Sequence, residues 1–125
     1  MSQTLSIDVI LFVYGTLKRG LSNNHFLAGQ QFLGEVRTLP HYRLYDSGPY
    51  PCLVEDRRRG VAVQGEIWRV DAKILARLDE LEDVPWPFRR REIDVIGIPT
   101  SVFAYLYQGD VGGMKDCSDR WPQST

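Results

Sequence analysis

Only one stretch of this chain, Asp71 to Glu82, carries clear helical periodicity; most of the rest is short β-prone runs cut by Gly and Pro. The runs read as strands are Asp8 to Tyr14, Phe32 to Thr38, Tyr42 to Asp46, Val61 to Trp68, Arg90 to Val95 and Ser101 to Tyr107. Val61 to Trp68 alternates: Val61, Val63, Gly65 and Ile67 face one way, Ala62, Gln64, Glu66 and Trp68 the other. Gly48, Pro49 and Pro51 read as a turn or irregular stretch, and Arg57 to Gly60 as a hairpin tip. A second short helix is expected over Ser22 to Ala28, capped by Ser22 or Asn23 and stopped by Gly29. The expected fold is therefore α+β: a small mixed β-barrel or curled sheet, with two or so short helices packed outside.

With 125 residues, 43% of them apolar, the chain suits one domain that builds its core without staples. The expected division is a single domain over 1–109 and a loose, polar, Gly-containing tail over 110–125. A formal net charge of −1 gives no global pull toward nucleic acid or an anionic membrane. Cys52 and Cys117 are far apart, and His25 and His41 have no partner spacing, so neither a metal site nor a disulfide framework is expected. The apolar run Val9 to Val13 is too short for a signal-peptide core or a membrane span. The expectation is a reduced, soluble, cytoplasmic protein.

The helix contains one carboxylate in an unusual place. Asp71 is a suitable N-cap, and Ile74, Leu75, Leu78 and Leu81 fall within one arc roughly 120° wide. Glu82 lies inside that arc, whereas Lys73, Arg77, Asp79, Glu80 and Asp83 lie outside it. An ionised carboxylate facing a core is costly, and desolvation raises its pKa toward the range a general acid/base needs. Two plainer readings stand beside this one. Pro85 and Pro87 force the helix to end here, so its last turn can fray toward solvent; or Glu82 can pair with Arg89, Arg90 or Arg91.

A second candidate is Tyr14-Gly15-Thr16-Leu17, where the first strand ends. Gly15 lets backbone N–H groups approach a ligand, and Thr16 adds a hydroxyl; such a nest can hold a carboxylate or an oxyanion. Tyr50, Tyr105 and Tyr107 are candidate walls for the same pocket, though each also fits a sheet or core position.

Phe12 to Gly20, FVYGTLKRG, resembles the signature of the γ-glutamylcyclotransferase-like family, within it most nearly the γ-glutamylamine cyclotransferase branch. Asn24, Leu27–Glu35, Leu44–Pro51 and Val63–Asp71 continue the match, and LARLDELED at Leu75–Asp83 resembles the family's LDxxE segment. The resemblance implies a compact mixed β-barrel with outer helices. It implies that Tyr14, Gly15, Thr16 and Leu17 bind the α-amino acid end of a γ-glutamyl group, with Glu82 as the catalytic acid/base. It further implies cleavage of a γ-glutamyl amide by its own α-amine, giving 5-oxoproline and a free amine, without metal or organic cofactor. One position departs from the pattern: where the family carries Tyr-x-Arg, this chain has Phe88 followed by Arg89 and Arg90.

Other functions remain as alternatives: a non-catalytic binding protein for an amino acid or γ-glutamyl compound, and an enzyme removing γ-glutamyl from a larger biosynthetic intermediate. Arg57–Arg59 and Arg89–Arg91 also offer a nucleic-acid surface, but few aromatics interleave them and balancing acids make a solvated surface the better reading.

Overall fold

The computed structural model describes residues 8–122. Eight strands form two separate sheets. The strands are β1 (Val9–Val13), β2 (Gln31–Arg37), β3 (Tyr42–Asp46), β4 (Pro51–Glu55), β5 (Gln64–Val70), β6 (Phe88–Ile93), β7 (Val102–Tyr107) and β8 (Lys115–Ser118). A five-stranded sheet runs β2-β5-β1-β7-β6, and a three-stranded sheet runs β4-β3-β8. All recorded pairings are antiparallel except β1 with β7. The α+β class holds. The closed barrel does not, because the strands divide into two sheets, and beyond the ends of β2 and β6 the chain meets only through one isolated bridge, Thr38 with Val95.

The five-stranded sheet is buried on both faces. Along β1, Leu11 and Val13 point into one apolar cluster with Leu75, Leu78 and Leu27, while Phe12 points into another with Leu44, Leu53 and Cys117. One face thus meets the helix and the other meets the smaller sheet. Double burial explains why β1 reads as a continuous apolar run rather than an alternation. It also corrects the reading of β5, where consecutive residues Gly65, Glu66, Ile67 and Trp68 are all buried.

One α-helix is present among the described residues, α1 (Ala72–Leu81). Its N-cap is Asp71, whose Oδ1 accepts from the Ile74 N–H at 2.9 Å. Leu75 and Leu78 are buried, each contributing about 1.5–3 kcal/mol of apolar burial. The expected helix over 22–28 is only a 3-10 turn, Asn24–Leu27, without a side-chain cap. Asn23, at the N-cap position, makes no cap bond and instead donates its Nδ2 to Thr16 Oγ1 at 2.9 Å.

Two further expectations need correcting. Pro51 opens strand β4 rather than ending regular structure, which is allowed because β4 lies at a sheet edge. The stretch expected as a loose tail carries β8, which pairs with β3. Cys117 enters the core between the sheets, and Trp121 packs on it partly buried. Trp121 also donates to Asp46 Oδ2 at 3.3 Å, and its carbonyl accepts from Lys18 Nζ. A strand with one buried side chain can be polar in sequence and still be fixed in place.

Candidate active site

A cavity of about 250 Å³ opens where five elements converge. The C-terminal end of β1 delivers Tyr14 and the Gly15–Leu17 turn, and the end of α1 delivers Glu82 and Asp83. Pro51 on β4, Phe88 on β6 and Tyr105 on β7 complete the wall. All five candidate residues from the sequence (Tyr14, Gly15, Thr16, Leu17 and Glu82) therefore line one space. Tyr50 and Tyr105 line it too, whereas Tyr107 lies on a different cleft, between β4 and β6.

The turn is rigid for identifiable reasons. Lys18 N–H donates to the Gly15 carbonyl at 3.0 Å, and Asn23 N–H donates to the Thr16 carbonyl at 2.9 Å. Asn24 Nδ2 donates to the Leu17 carbonyl at 2.9 Å. These bonds consume the carbonyls. Among the described residues, the N–H groups of Gly15, Thr16 and Leu17 donate to no protein acceptor, and three such donors in succession suit an anionic oxygen. Gly15 is required by close approach: a Cβ there would meet Pro51 Cγ at 2.4 Å. Tyr14 is 8% exposed, and its hydroxyl is committed to the fold, donating to the Tyr105 carbonyl at 2.7 Å.

Two buried or half-buried glutamates show contrasting environments. Glu66 is 7% exposed and fully partnered: it accepts from Arg19 N–H, Arg19 Nε and Trp68 Nε1, each at 3.1 Å. It anchors the chain just beyond the Gly15–Leu17 turn. Glu82 is half-buried, and among the described residues its carboxylate has neither a hydrogen bond nor an ion pair. Burial first, and then the neighbouring Asp83 charge, push the Glu82 carboxyl up to about 7. The expected alternative of a salt bridge is not realised, because Arg90 turns instead to Asp79, through two bonds of 3.0 Å.

Fraying is not realised either. Val84 N–H donates to the Asp79 carbonyl at 3.0 Å and Asp83 N–H to the Glu80 carbonyl at 3.2 Å, with Asp83 at φ 55°. This is the Schellman arrangement, with Asp in the position usually given to Gly. It closes the helix tightly, so that Glu82 faces the cavity while Leu81 turns partly outward, at 38% exposure.

Several cavity residues were not singled out from sequence as site residues. Asn23, expected as a helix cap, and Asp83, placed by helical period outside the inward arc, both line the cavity, because a loop and the turn past a helix end do not follow the period. Among the described residues, no lysine, arginine or histidine lines the cavity. Among the described residues, no group of His, Cys, Asp or Glu is placed to hold a metal ion. His41 instead contacts Asp94 Oδ2 at 3.0 Å, and His25 contacts the Ser22 carbonyl at 3.1 Å.

The profile of the family described as "Gamma-glutamyl cyclotransferase, AIG2-like" matches residues 11–123. The chain belongs to this family of enzymes. A Vibrio cholerae protein with a provisional γ-glutamylcyclotransferase name is 47% identical over 100 residues, covering 79% of this chain and 82% of the relative. The γ-glutamylcyclotransferase family protein YtfP of Escherichia coli K12 is 35% identical over 106 residues, covering 84% and 88%. The solved structure of a mouse AIG2-like protein superposes with a TM-score of 0.74 at 30% identity, covering 82% of this chain and 80% of that one. Among the described residues of this γ-glutamylcyclotransferase-family chain, no helix is long and apolar enough to cross a membrane.

Proposed function

We propose that this γ-glutamylcyclotransferase-family chain cleaves a γ-glutamyl amide by intramolecular cyclisation, with Glu82 as general acid/base. The observation that carries the reading is an unpartnered carboxylate, raised to about 7, sharing a cavity with three unsatisfied backbone N–H groups.

The substrate brings its own nucleophile. Its α-nitrogen attacks the side-chain carbonyl carbon and forms a C–N bond that closes a five-membered lactam. The bond to the leaving nitrogen then breaks. Because both partners belong to one molecule, the protein has only to fold the substrate and move protons. The α-ammonium has an ordinary pKa of about 7.7–8.0 and must lose a proton before it can attack. An ordinary glutamate near 4.5 would take that proton at a cost of roughly 4–5 kcal/mol, whereas a carboxyl near 7 lowers this to roughly 1–2 kcal/mol. Glu82 takes the proton and returns it to the leaving nitrogen; the second proton, which the α-nitrogen sheds as the ring closes, follows the same route, so the amine leaves as its ammonium form and no further reactant is needed.

The Gly15, Thr16 and Leu17 N–H groups are the donors for an oxygen that carries negative charge, whether the α-carboxylate or the carbonyl oxygen as the ring closes. Tyr14 contributes ring surface rather than its hydroxyl, which is already donated to Tyr105. We place the substrate's reacting carbon between this turn and Glu82.

One observation favours a second reading. Phe88 stands in the cavity wall where the family carries a Tyr, its ring 5.7 Å from Tyr50 and 5.4 Å from Tyr107. A pocket that binds γ-glutamyl compounds without turning them over would be consistent with the missing hydroxyl. The test is release of 5-oxoproline and free amine from a panel of γ-glutamyl amines, γ-glutamyl amino acids and larger γ-glutamyl conjugates. Equimolar release from at least one member supports cyclisation. Saturable binding of a panel member with no product from any would move the function to binding.

A further inference from the structure

We propose that Asp79 and Tyr105 are positioning residues, which hold Glu82 against the Tyr14–Leu17 turn through one continuous hydrogen-bonded chain. The inference rests on the reading of Glu82 as the acid/base and adds how the two halves of the site are kept in register.

The chain can be followed bond by bond. Tyr14, at the head of the turn, donates its hydroxyl to the Tyr105 carbonyl at 2.7 Å. Tyr105 donates its own hydroxyl to Asp79 Oδ1 at 2.7 Å. Asp79 also receives Arg90, with Nε on Oδ1 and Nη2 on Oδ2, both at 3.0 Å. The Asp79 backbone carbonyl accepts the Val84 N–H at 3.0 Å, closing the turn that contains Glu82. Asp79 is therefore bonded through its side chain to β6 and β7 and through its backbone to the loop just beyond Glu82. No other residue of α1 is bonded to both.

The placement matters because α1 approaches the cavity only with its final turn. Leu75 and Leu78 fix the body of the helix by burial, but apolar packing is non-directional and leaves the last turn free to rotate or shift slightly. A directed, charge-assisted bond removes that freedom. A displacement of about 1 Å in a catalytic group is enough to cost two orders of magnitude in rate. Tyr105 is a suitable donor because burial and the adjacent Asp79 both raise its pKa, keeping its proton on the hydroxyl.

Glu82's ionisation reports its position. The titratable groups facing it are Asp83 beside it, Tyr14 on the turn after β1, Tyr50 before β4, Cys52 on β4 and Tyr105 on β7. The three tyrosines and Cys52 are all raised above their ordinary values and stay neutral near pH 7. Asp79 is not among the charges that act on Glu82. Tyr105→Phe changes no charge, so a shift of the Glu82 titration in that variant reports movement, whereas Asp79→Asn also leaves the Arg90 guanidinium without its paired carboxylate.

The experiment compares wild type, Tyr105→Phe, Asp79→Asn and the double variant by two readouts. The first is the pH profile of kcat and KM for 5-oxoproline release. The second is a carbon-13 NMR titration of the Glu82 carboxyl, which needs no turnover. Tyr105→Phe keeps the ring and serves as the variant least able to disturb folding. The expected result is a kcat lowered about tenfold with KM within about twofold, and a double variant no worse than the poorer single one. The Glu82 titration moves to lower pH in every variant as the carboxylate gains water. Lost activity with an unmoved Glu82 titration, or multiplicative losses in the double variant, would overturn the proposal. If wild type releases no 5-oxoproline, the reaction assignment fails, while the NMR titration still decides the coupling.

Discussion

The Val84 N–H reaches back to the Asp79 carbonyl at 3.0 Å, and the loop this bond closes holds Glu82 at the mouth of the cavity. The closure requires Asp83 to take φ 55°, a left-handed conformation that L residues other than Gly, and at times Asn or Asp, avoid. The carboxylate that does so also adds negative charge beside Glu82. Asp83 thus shapes the site twice, once through its backbone and once through its charge.

Replacing Asp83 separates these effects. Asp83→Gly relieves the backbone strain and is expected to raise unfolding stability by about 0.5–1 kcal/mol, after the entropy glycine adds to the unfolded chain. Asp83→Asn keeps the backbone preference and removes only the charge. Both variants should move the Glu82 titration to lower pH, because a neighbouring charge that raises it is gone. Denaturant unfolding and NMR titration check the two parts. A Glu82 titration unchanged in both variants would contradict the electrostatic account.

Stability should depend on pH through Glu82. Its folded pKa, about 7, exceeds its ordinary value of 4.5, so the folded state binds more protons between those limits. Stability therefore falls as pH rises through that window. The full shift corresponds to roughly 3 kcal/mol, an upper figure for a half-buried group that water partly screens. Glu82→Gln should accordingly be more stable than wild type at pH 8, with the difference shrinking toward pH 4. Urea unfolding of both proteins across this range measures it, and a constant difference would count against a desolvated carboxylate.

Much of this site can be read from the sequence, for reasons specific to particular residues. Helical period puts Glu82 on the apolar arc but does not decide between a cavity, a frayed end and an arginine pair, while the Gly after an apolar strand marks the donor turn. Strand β4 is hidden because Pro51 signals a break unless the strand lies at an edge. Strand β8 is hidden because only Cys117 among its four residues enters the core. The partnership of Arg90 with Asp79 rather than Glu82 depends on where β6 lies relative to α1, which no local pattern encodes. The difference between a barrel and two facing sheets is likewise set by edge pairing, not by any single strand's composition.

Gly15→Ala should damage the donor turn. The added methyl would meet Pro51 Cγ at 2.4 Å, so either β4 or the turn must move. A loss of about 1–3 kcal/mol in stability is expected, as for other overpacked sites, together with a raised KM for any γ-glutamyl substrate. Thermal unfolding and steady-state kinetics check both. Unchanged KM in a folded variant would mean that the turn does not contact substrate.

The reaction's pH dependence should follow the same carboxyl. With Glu82 acting as base in the free enzyme, kcat/KM rises with pH and levels off above about 7. A profile flat from pH 5 to 8 would require a different base.

The most direct test of the central claim is 5-oxoproline release by Glu82→Gln, measured beside wild type on the best substrate of the panel. The side chain keeps its size and loses its basicity. The account predicts a fall in kcat of about 10²–10⁴-fold with substrate binding retained. A variant that keeps its rate within a few-fold of wild type would show that Glu82 is not the acid/base.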